Sequence, residues 1–158
     1  MRTLIATAAI LALTPFASAT EISVGFGGEI DEDWKDTYGE RELDRLSEDI
    51  ISDLERALDK RGVEAPRIEV TILDAKPNRP TMEQLSDKPG LDFGRSVSIG
   101  GMSLKGEAFD TDGNSLLEHE YSWFENDIRH SLHRSTWGDA NRASDRFAVK
   151  FAKELSNQ

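Results

Sequence analysis

Histidine serves both as a metal ligand and as an acid–base catalyst near neutral pH, and the three histidines of this chain lie close together. His119, His130 and His133 all fall within the segment HEYSWFENDIRHSLHRSTWGD, which also contains Asp127. Asp127, His130 and His133 follow i, i+3, i+6 spacing, so neighbouring members could share one metal ion on a helix. One hypothesis is therefore a metal-binding protein or a metal-dependent hydrolase that uses these residues, with His119 as a further ligand.

Two features of this segment weaken the metal hypothesis. Arg129 and Arg134 flank the histidines, and fixed positive charges oppose a bound cation. The spacing also matches neither the H-E-x-x-H motif nor a Cys/His zinc set. We expect His119 to be a half-buried strand residue with one hydrogen-bonding partner, and we expect no cofactor.

Other catalytic signatures are absent from the sequence. The chain has no cysteine and no G-x-S-x-G nucleophile motif. Glycines follow the first apolar segment in GFGGEI, but acidic residues come next and a phosphate would be repelled there. The sequence therefore favours a non-catalytic binding domain over an enzyme.

A short loop is the best candidate for contact with a partner. In KPNRP, Lys76 precedes the first proline, Asn78 and Arg79 lie between the two prolines, and Arg95 follows further along the same segment. A stiff loop that presents an arginine can bind a carboxylate or a protein surface. The alternative is that Arg79 pairs internally with the acidic helix that precedes it.

The charge distribution limits the classes of partner. The whole chain carries a formal net charge of −11, whereas residues 65–100 contain equal numbers of acidic and basic side chains. An acidic protein repels nucleic acid and anionic lipid, so we expect neither as a partner. A protein or another component of the cell envelope is the partner that we expect.

The N-terminal residues have the features of a secretory signal peptide. Arg2 precedes a short apolar run, and Ala17-Ser18-Ala19 has the small residues of a cleavage site. We expect cleavage after residue 19, which leaves residues 20–158 as one exported domain in the periplasm or outside the cell. Without a cysteine after the apolar run, we expect neither lipid attachment nor, after cleavage, membrane insertion.

Hydrophobic periodicity predicts a strand and a long helix in the first half of this domain. EISVGF alternates as a strand, and leucine and isoleucine then recur at helical spacing from Leu43 to Leu58. Thr37 and Glu40 are spaced as a capping box, GGEIDEDWKD before them is predicted to be a loop, and Gly62 is predicted to end the helix. RIEVTIL is a second strand, and Thr81 with Gln84 predicts a helical turn.

The second half is predicted to be a β-hairpin followed by a helix. Asp112-Gly113 is a two-residue hairpin turn, and it sets Lys105 opposite Glu120 and His119 opposite Gly106. Gly100-Gly101 interrupts the alternation and predicts a bulge. An apolar stripe from Ala140 to Leu155 forms the last helix, with Asp139 as its N-cap.

This element order predicts an α+β fold. The order strand, helix, strand, hairpin, helix gives a two-layer sandwich in which a mostly antiparallel sheet of about four strands carries both long helices on one face.

The closing segment STWGDANRASDRFAVKFAKEL resembles small exported proteobacterial domains of unknown function, some of which are lipoproteins. The likeness consists of Thr-Trp, Asp-Ala and Phe-Ala on an amphipathic last helix, together with the element order of residues 21–156. The resemblance implies the same fold and an exported location. It implies no catalytic residues.

Overall fold

The computed structural model describes residues 20–27 and 33–158, so the predicted signal peptide lies outside the described residues. The order of strands and helices along the described chain contains the predicted order, with three short helices added. The elements are β1 (Glu21–Phe26), α1 (Asp33–Tyr38), α2 (Glu40–Arg61), β2 (Arg67–Lys76), α3 (Met82–Asp87), β3 (Gly101–Phe109), β4 (Ser115–Phe124), α4 (Ile128–Ser131) and α5 (Gly138–Leu155).

The four strands form one mixed sheet in the order β1-β2-β3-β4. β1 runs parallel to β2, and the other neighbours are antiparallel. The hairpin register is the predicted one, with Lys105 opposite Glu120 and Gly106 opposite His119. The ion pair is diagonal instead, because Lys105 Nζ lies 3.0 Å from Glu118.

Both long helices pack on one face of this sheet, which confirms the predicted α+β fold. α2 and α5 contact each other, and α5 also covers β3 and β4. Alternate strand residues are buried beneath them, as are the apolar stripes of the two helices. None of the helices in the described part of the chain is long and apolar enough to span a bilayer.

Two helix starts differ from the prediction. Thr37 lies inside the short helix α1, which replaces part of the predicted acidic loop, and Gly39 at φ 90° separates that helix from α2. Glycine adopts this left-handed backbone without the steric cost that a side chain adds. At the other helix, Trp137 is the residue before α5, and Asp139 lies within its first turn.

Glycine positions account for two further differences. Gly101 begins β3 in register with both neighbours, and the strand irregularities fall at Ile72/Asp74 and Ala108/Phe109 instead of at Gly100-Gly101. From the sequence, the glycine opposite His119 is expected to leave room for the imidazole ring. A Cβ at Gly106 would instead lie 2.6 Å from Phe147 and 2.9 Å from Phe151, so this glycine admits the two rings of α5.

The connections at one end of the sheet come together. β2 ends and β3 begins at this end, and β4 ends where α5 begins. Residues 77–100 and 125–137 are therefore neighbours, and we call these two segments the loop end. The predicted contact loop and two of the three histidines lie in or beside it.

A candidate binding surface at the loop end

A buried pair of side chains joins the first segment of the loop end to the first turn of α5. Asn78 and Asp139 are both fully buried. Asn78 Nδ2 donates to Asp139 Oδ2 at 2.5 Å, and the backbone N–H of Asp139 donates to Asn78 Oδ1 at 2.8 Å. The Asn78 amide thus binds both the side chain and the backbone N–H of Asp139. This carboxylate lies in the first turn of α5, where the helix dipole favours a negative charge.

Three other groups surround the Asp139 carboxylate. Ser131 Oγ donates to Oδ2 at 2.8 Å, and the Gly100 N–H approaches the same oxygen at 3.4 Å. Arg134 Nε lies 3.2 Å from Oδ1, close enough for an ion pair but not aligned as a hydrogen bond. With no exposed surface, this carboxylate has a structural role in tying α4, α5 and the start of β3 together.

Arg79 holds the loop end from the side that faces solvent. Its guanidinium donates to the carbonyl oxygens of Phe93 and Gly94 in one segment, and of Leu132 and Arg134 in the other, at 2.8 to 3.1 Å. Arginine suits this role because its planar fork presents five fixed donors. Arg79 forms no ion pair with α2, the acidic helix of the alternative interpretation.

The remaining contact candidates divide into exposed and buried residues. Lys76 and Arg95 are exposed, and neither forms an ion pair with a carboxylate among the described residues. Asn78 cannot touch a partner while its buried hydrogen bonds are in place. The predicted contact therefore depends on Lys76, Arg79 and Arg95.

Exposed apolar side chains are concentrated at the same end. Seven large apolar residues are exposed in the part of the chain that the structure describes, and five of these are at the loop end. They are Met82, Leu91, Phe93, Ile128 and Leu132. Met82, at 73%, is the most exposed of all seven. Arg79 brings two of them together, because its guanidinium donates to the carbonyl oxygens of both Phe93 and Leu132.

Two shallow pockets open between these side chains. One, of about 330 Å³, is lined by α3 and the extended segment before β3: Pro80, Gln84, Lys88, Leu91, Ser96, Val97 and Ser98. The other, of about 210 Å³, is lined by Arg45, Phe93, Ser135, Thr136, Trp137 and Asn141. Both combine apolar walls with a cation and hydroxyl groups, as small recognition sites do.

The histidine segment is engaged in local contacts. Asp127 caps α4 by accepting the Arg129 N–H at 3.0 Å, and its carboxylate also binds the Arg129 guanidinium. His130 Nδ1 lies 3.4 Å from the buried carboxylate of Glu125. The backbone N–H groups of Asn126 and Asp127 hold the pKa of Glu125 below its usual range, and His130 lowers that pKa further.

His119 lies apart from this segment, on β4. Its Nδ1 is 2.8 Å from Glu154 of α5, and its ring packs 6.0 Å from that of Phe147. Its Nε2 is buried without a hydrogen-bonding partner. The half-buried strand position and the single partner are those the sequence predicts. Within residues 20–27 and 33–158, no three histidine, aspartate or glutamate side chains are grouped to hold a metal ion.

Comparison with known proteins gives little further information. No protein-family model matches, and no curated protein matches. Among solved structures the chain is similar to a minor lipoprotein from Acinetobacter baumannii, at 11% identity and a TM-score of 0.43, over 89% of this chain and 93% of that chain.

Sequence reasoning missed three features of the loop end. The Asn78–Asp139 pair spans 61 positions, and no local pattern connects the two residues. The four carbonyl acceptors of Arg79 are backbone atoms, which the sequence does not distinguish from any others. The sequence also does not show that Phe93 and Leu132 are exposed, since only the folded chain reveals which apolar residues remain uncovered.

Proposed function

We propose that this chain is a non-catalytic binding domain, exported from a bacterial cell, whose loop end contacts a protein or another component of the cell envelope. The observation that carries this proposal is the concentration of exposed apolar side chains beside cations that lack a carboxylate partner. Patches of this kind are typical of surfaces that another molecule covers.

The rigidity of the loop end supports the same proposal. Arg79 joins the two segments, and the Asn78–Asp139 pair anchors the first segment to α5. The backbone that carries the exposed side chains is therefore held in place before a partner arrives. A surface that is ordered in advance loses less conformational entropy on binding. Loops positioned by a rigid scaffold are also where binding residues are most often found.

The exported location is supported by the sequence of residues 1–19, which has the charge, apolar run and small residues of a signal peptide. A partner in the periplasm or at the cell surface follows from this location. The acidic character of the chain favours a protein over nucleic acid as that partner.

Site-specific photo-cross-linking in the native host tests the proposal. A photoreactive phenylalanine analogue replaces Phe93 or Leu132, which are 50% and 47% exposed. Leu116 and Val149, at 38% and 46% exposed, are matched controls outside the loop end. We expect an adduct of one discrete mass from the first two positions and none from the controls. The proposal would be overturned if both loop-end positions failed to give an adduct, or if the control positions gave adducts in equal yield.

A further inference from the structure

We propose that the pocket beside α3 receives an apolar side chain from an acidic peptide segment of the partner, with carboxylates of that segment facing Lys88 and Arg95. This inference rests on the proposed function and adds the chemistry of the occupant. It concerns the pocket of about 330 Å³, which we call the α3 pocket.

The walls of the α3 pocket are fixed by hydrogen bonds on both sides. On one side, Thr81 and Gln84 form a complete capping box that anchors α3. On the other side, Ser98 donates from its N–H to the Asn78 carbonyl at 2.9 Å and from its Oγ to the Pro77 carbonyl at 2.6 Å. The shape of the pocket is therefore set by hydrogen-bonded backbone as well as by side chains.

The size and lining of this pocket suit one side chain better than a whole ligand. Pro80, Leu91 and Val97 supply apolar surface. Its volume lies at the lower end of the range of about 300 to 1,000 Å³ that is typical of pockets for small molecules. An apolar side chain of a peptide fills such a space and leaves its backbone outside.

Charge complementarity determines the residues expected next to that apolar side chain. Lys88 lines the pocket and Arg95 precedes the lining residue Ser96, and neither forms an ion pair among the described residues. Arg79 adds a third cation whose partners are neutral carbonyl groups. Lys88 is the one charged side chain among the residues that line the pocket.

None of the acidic residues in this segment lines the pocket. The Asp92 carboxylate is turned onto the backbone, where it accepts the N–H groups of Gly94 and Arg95 at 2.9 and 2.8 Å. Glu83 and Asp87 are exposed on α3. Glu83 lies against the start of α2, since a Cβ on Gly39 would be 3.6 Å from Glu83 Oε2. At the pocket itself, the charge that a bound peptide meets is that of Lys88.

Peptide titration followed by NMR tests the inference on the isotope-labelled mature chain. The probe is the capped tripeptide Glu-Leu-Glu. Lys-Leu-Lys has the opposite charge, and Glu-Ser-Glu lacks the apolar side chain. We expect Glu-Leu-Glu to shift the backbone amides of residues 84–98 saturably, while each of the other two peptides binds at least about fivefold more weakly.

A pair of charge reversals provides the matched control. Lys88→Glu changes the lysine that lines the pocket, and Lys60→Glu changes an exposed lysine in the last turn of α2. We expect Lys88→Glu to reverse the preference toward Lys-Leu-Lys and Lys60→Glu to leave it unchanged. Equal binding of the acidic and basic peptides, or shifts that fall outside residues 84–98, would overturn the inference. Concentration-dependent shifts at the pocket without peptide would also overturn it, in favour of a second copy of the chain.

Failure of this inference can be told apart from failure of the proposed function. An adduct from Phe93 together with no selective binding of Glu-Leu-Glu leaves the binding domain in place and removes the acidic peptide. Absence of any loop-end adduct removes the binding domain itself, and with it the basis for a peptide in the pocket.

Discussion

Asn78 and Asp139 exchange two hydrogen bonds across 61 positions of the chain, one from side chain to side chain and one from backbone to side chain. Both residues are fully buried, so each bond replaces one that water would make in the unfolded chain. The pair connects the loop after β2 to the first turn of α5. The shape of the loop end therefore depends on one buried amide.

Asn78→Ala is expected to lower the free energy of unfolding by about 2 to 4 kcal/mol, because it removes one hydrogen bond from a buried carboxylate and leaves the buried N–H of Asp139 without its partner. Chemical denaturation measures the loss. Asn126→Ala is the control, since Asn126 is exposed, and we expect it to change stability by less than about 0.5 kcal/mol. Equal effects of the two substitutions would contradict the role of the buried pair.

Arg79→Lys is expected to loosen the loop end without unfolding the sheet. Lysine retains the charge but lacks the fork that reaches four carbonyl groups in two segments. Hydrogen exchange should become faster at residues 92–98 and 131–136 and remain unchanged in β3. Arg95→Lys is the control, because Arg95 forms no side-chain hydrogen bond within the described residues. Unchanged hydrogen exchange at the loop end in Arg79→Lys would contradict the role of Arg79 in holding the two segments together.

Gly106→Ala is expected to destabilise the fold by about 1 to 3 kcal/mol, since the added methyl group overlaps Phe147 and Phe151 in a packed interior. Gly25→Ala is the matched control, because a Cβ on that strand glycine has no atom within 4 Å. Thermal unfolding compares the two variants. A second change, Phe147→Leu, should recover part of the loss in Gly106→Ala, and its failure to do so would argue against steric overlap as the cause.

Tyr38 is expected to ionise at higher pH than an ordinary tyrosine. Burial raises the pKa of its phenol, and the negative charge of Asp74 raises it further. The chain has two tyrosines, so Tyr121→Phe leaves Tyr38 as the only phenol to follow by ultraviolet absorbance. Asp74→Asn should lower the midpoint of this titration, whereas Asp112→Asn in the hairpin turn should not.

The same pKa shift has a consequence for stability. Because the folded state keeps the phenol proton at a pH where the unfolded state has lost it, this contribution is complete below about pH 10 and disappears as the pH rises above that value. Tyr38→Phe should remove this part of the alkaline decline in stability. An alkaline decline identical to that of the parent protein would contradict the shift.

The fold could be predicted from the sequence to a large extent because its signals are local. The Asp112-Gly113 signal predicts the pairing of Gly101 to Ala108 correctly, although Phe109 beside the turn pairs with Ser115, one residue off that register. The apolar stripe from Leu43 to Leu58 marks the buried face of α2. The helix starts were predicted less well. Thr37 has the spacing of a capping box, but the positive φ of Gly39 ends one helix and begins the next.

The candidate site could be predicted only in part, because its structure depends on contacts between distant segments. The sequence drew attention to Lys76, Arg79 and Arg95 through prolines and charge, and their role in binding stays a prediction. It could not distinguish Asn78, which is buried, from its exposed neighbour Lys76. The histidines share a segment, but β4 and α4 give His119 and His130 different partners.

The hairpin turn at Asp112-Gly113 joins β3 to β4 at the end of the sheet opposite the loop end, and α5 runs from the loop end toward that same side. Asp112 and Asn157 are exposed there. A fluorophore or a surface linker attached at either position therefore leaves the loop end facing the solution. The fold thus provides a fixed orientation for immobilised-protein measurements, with attachment chemistry on one side and the proposed contact surface on the other.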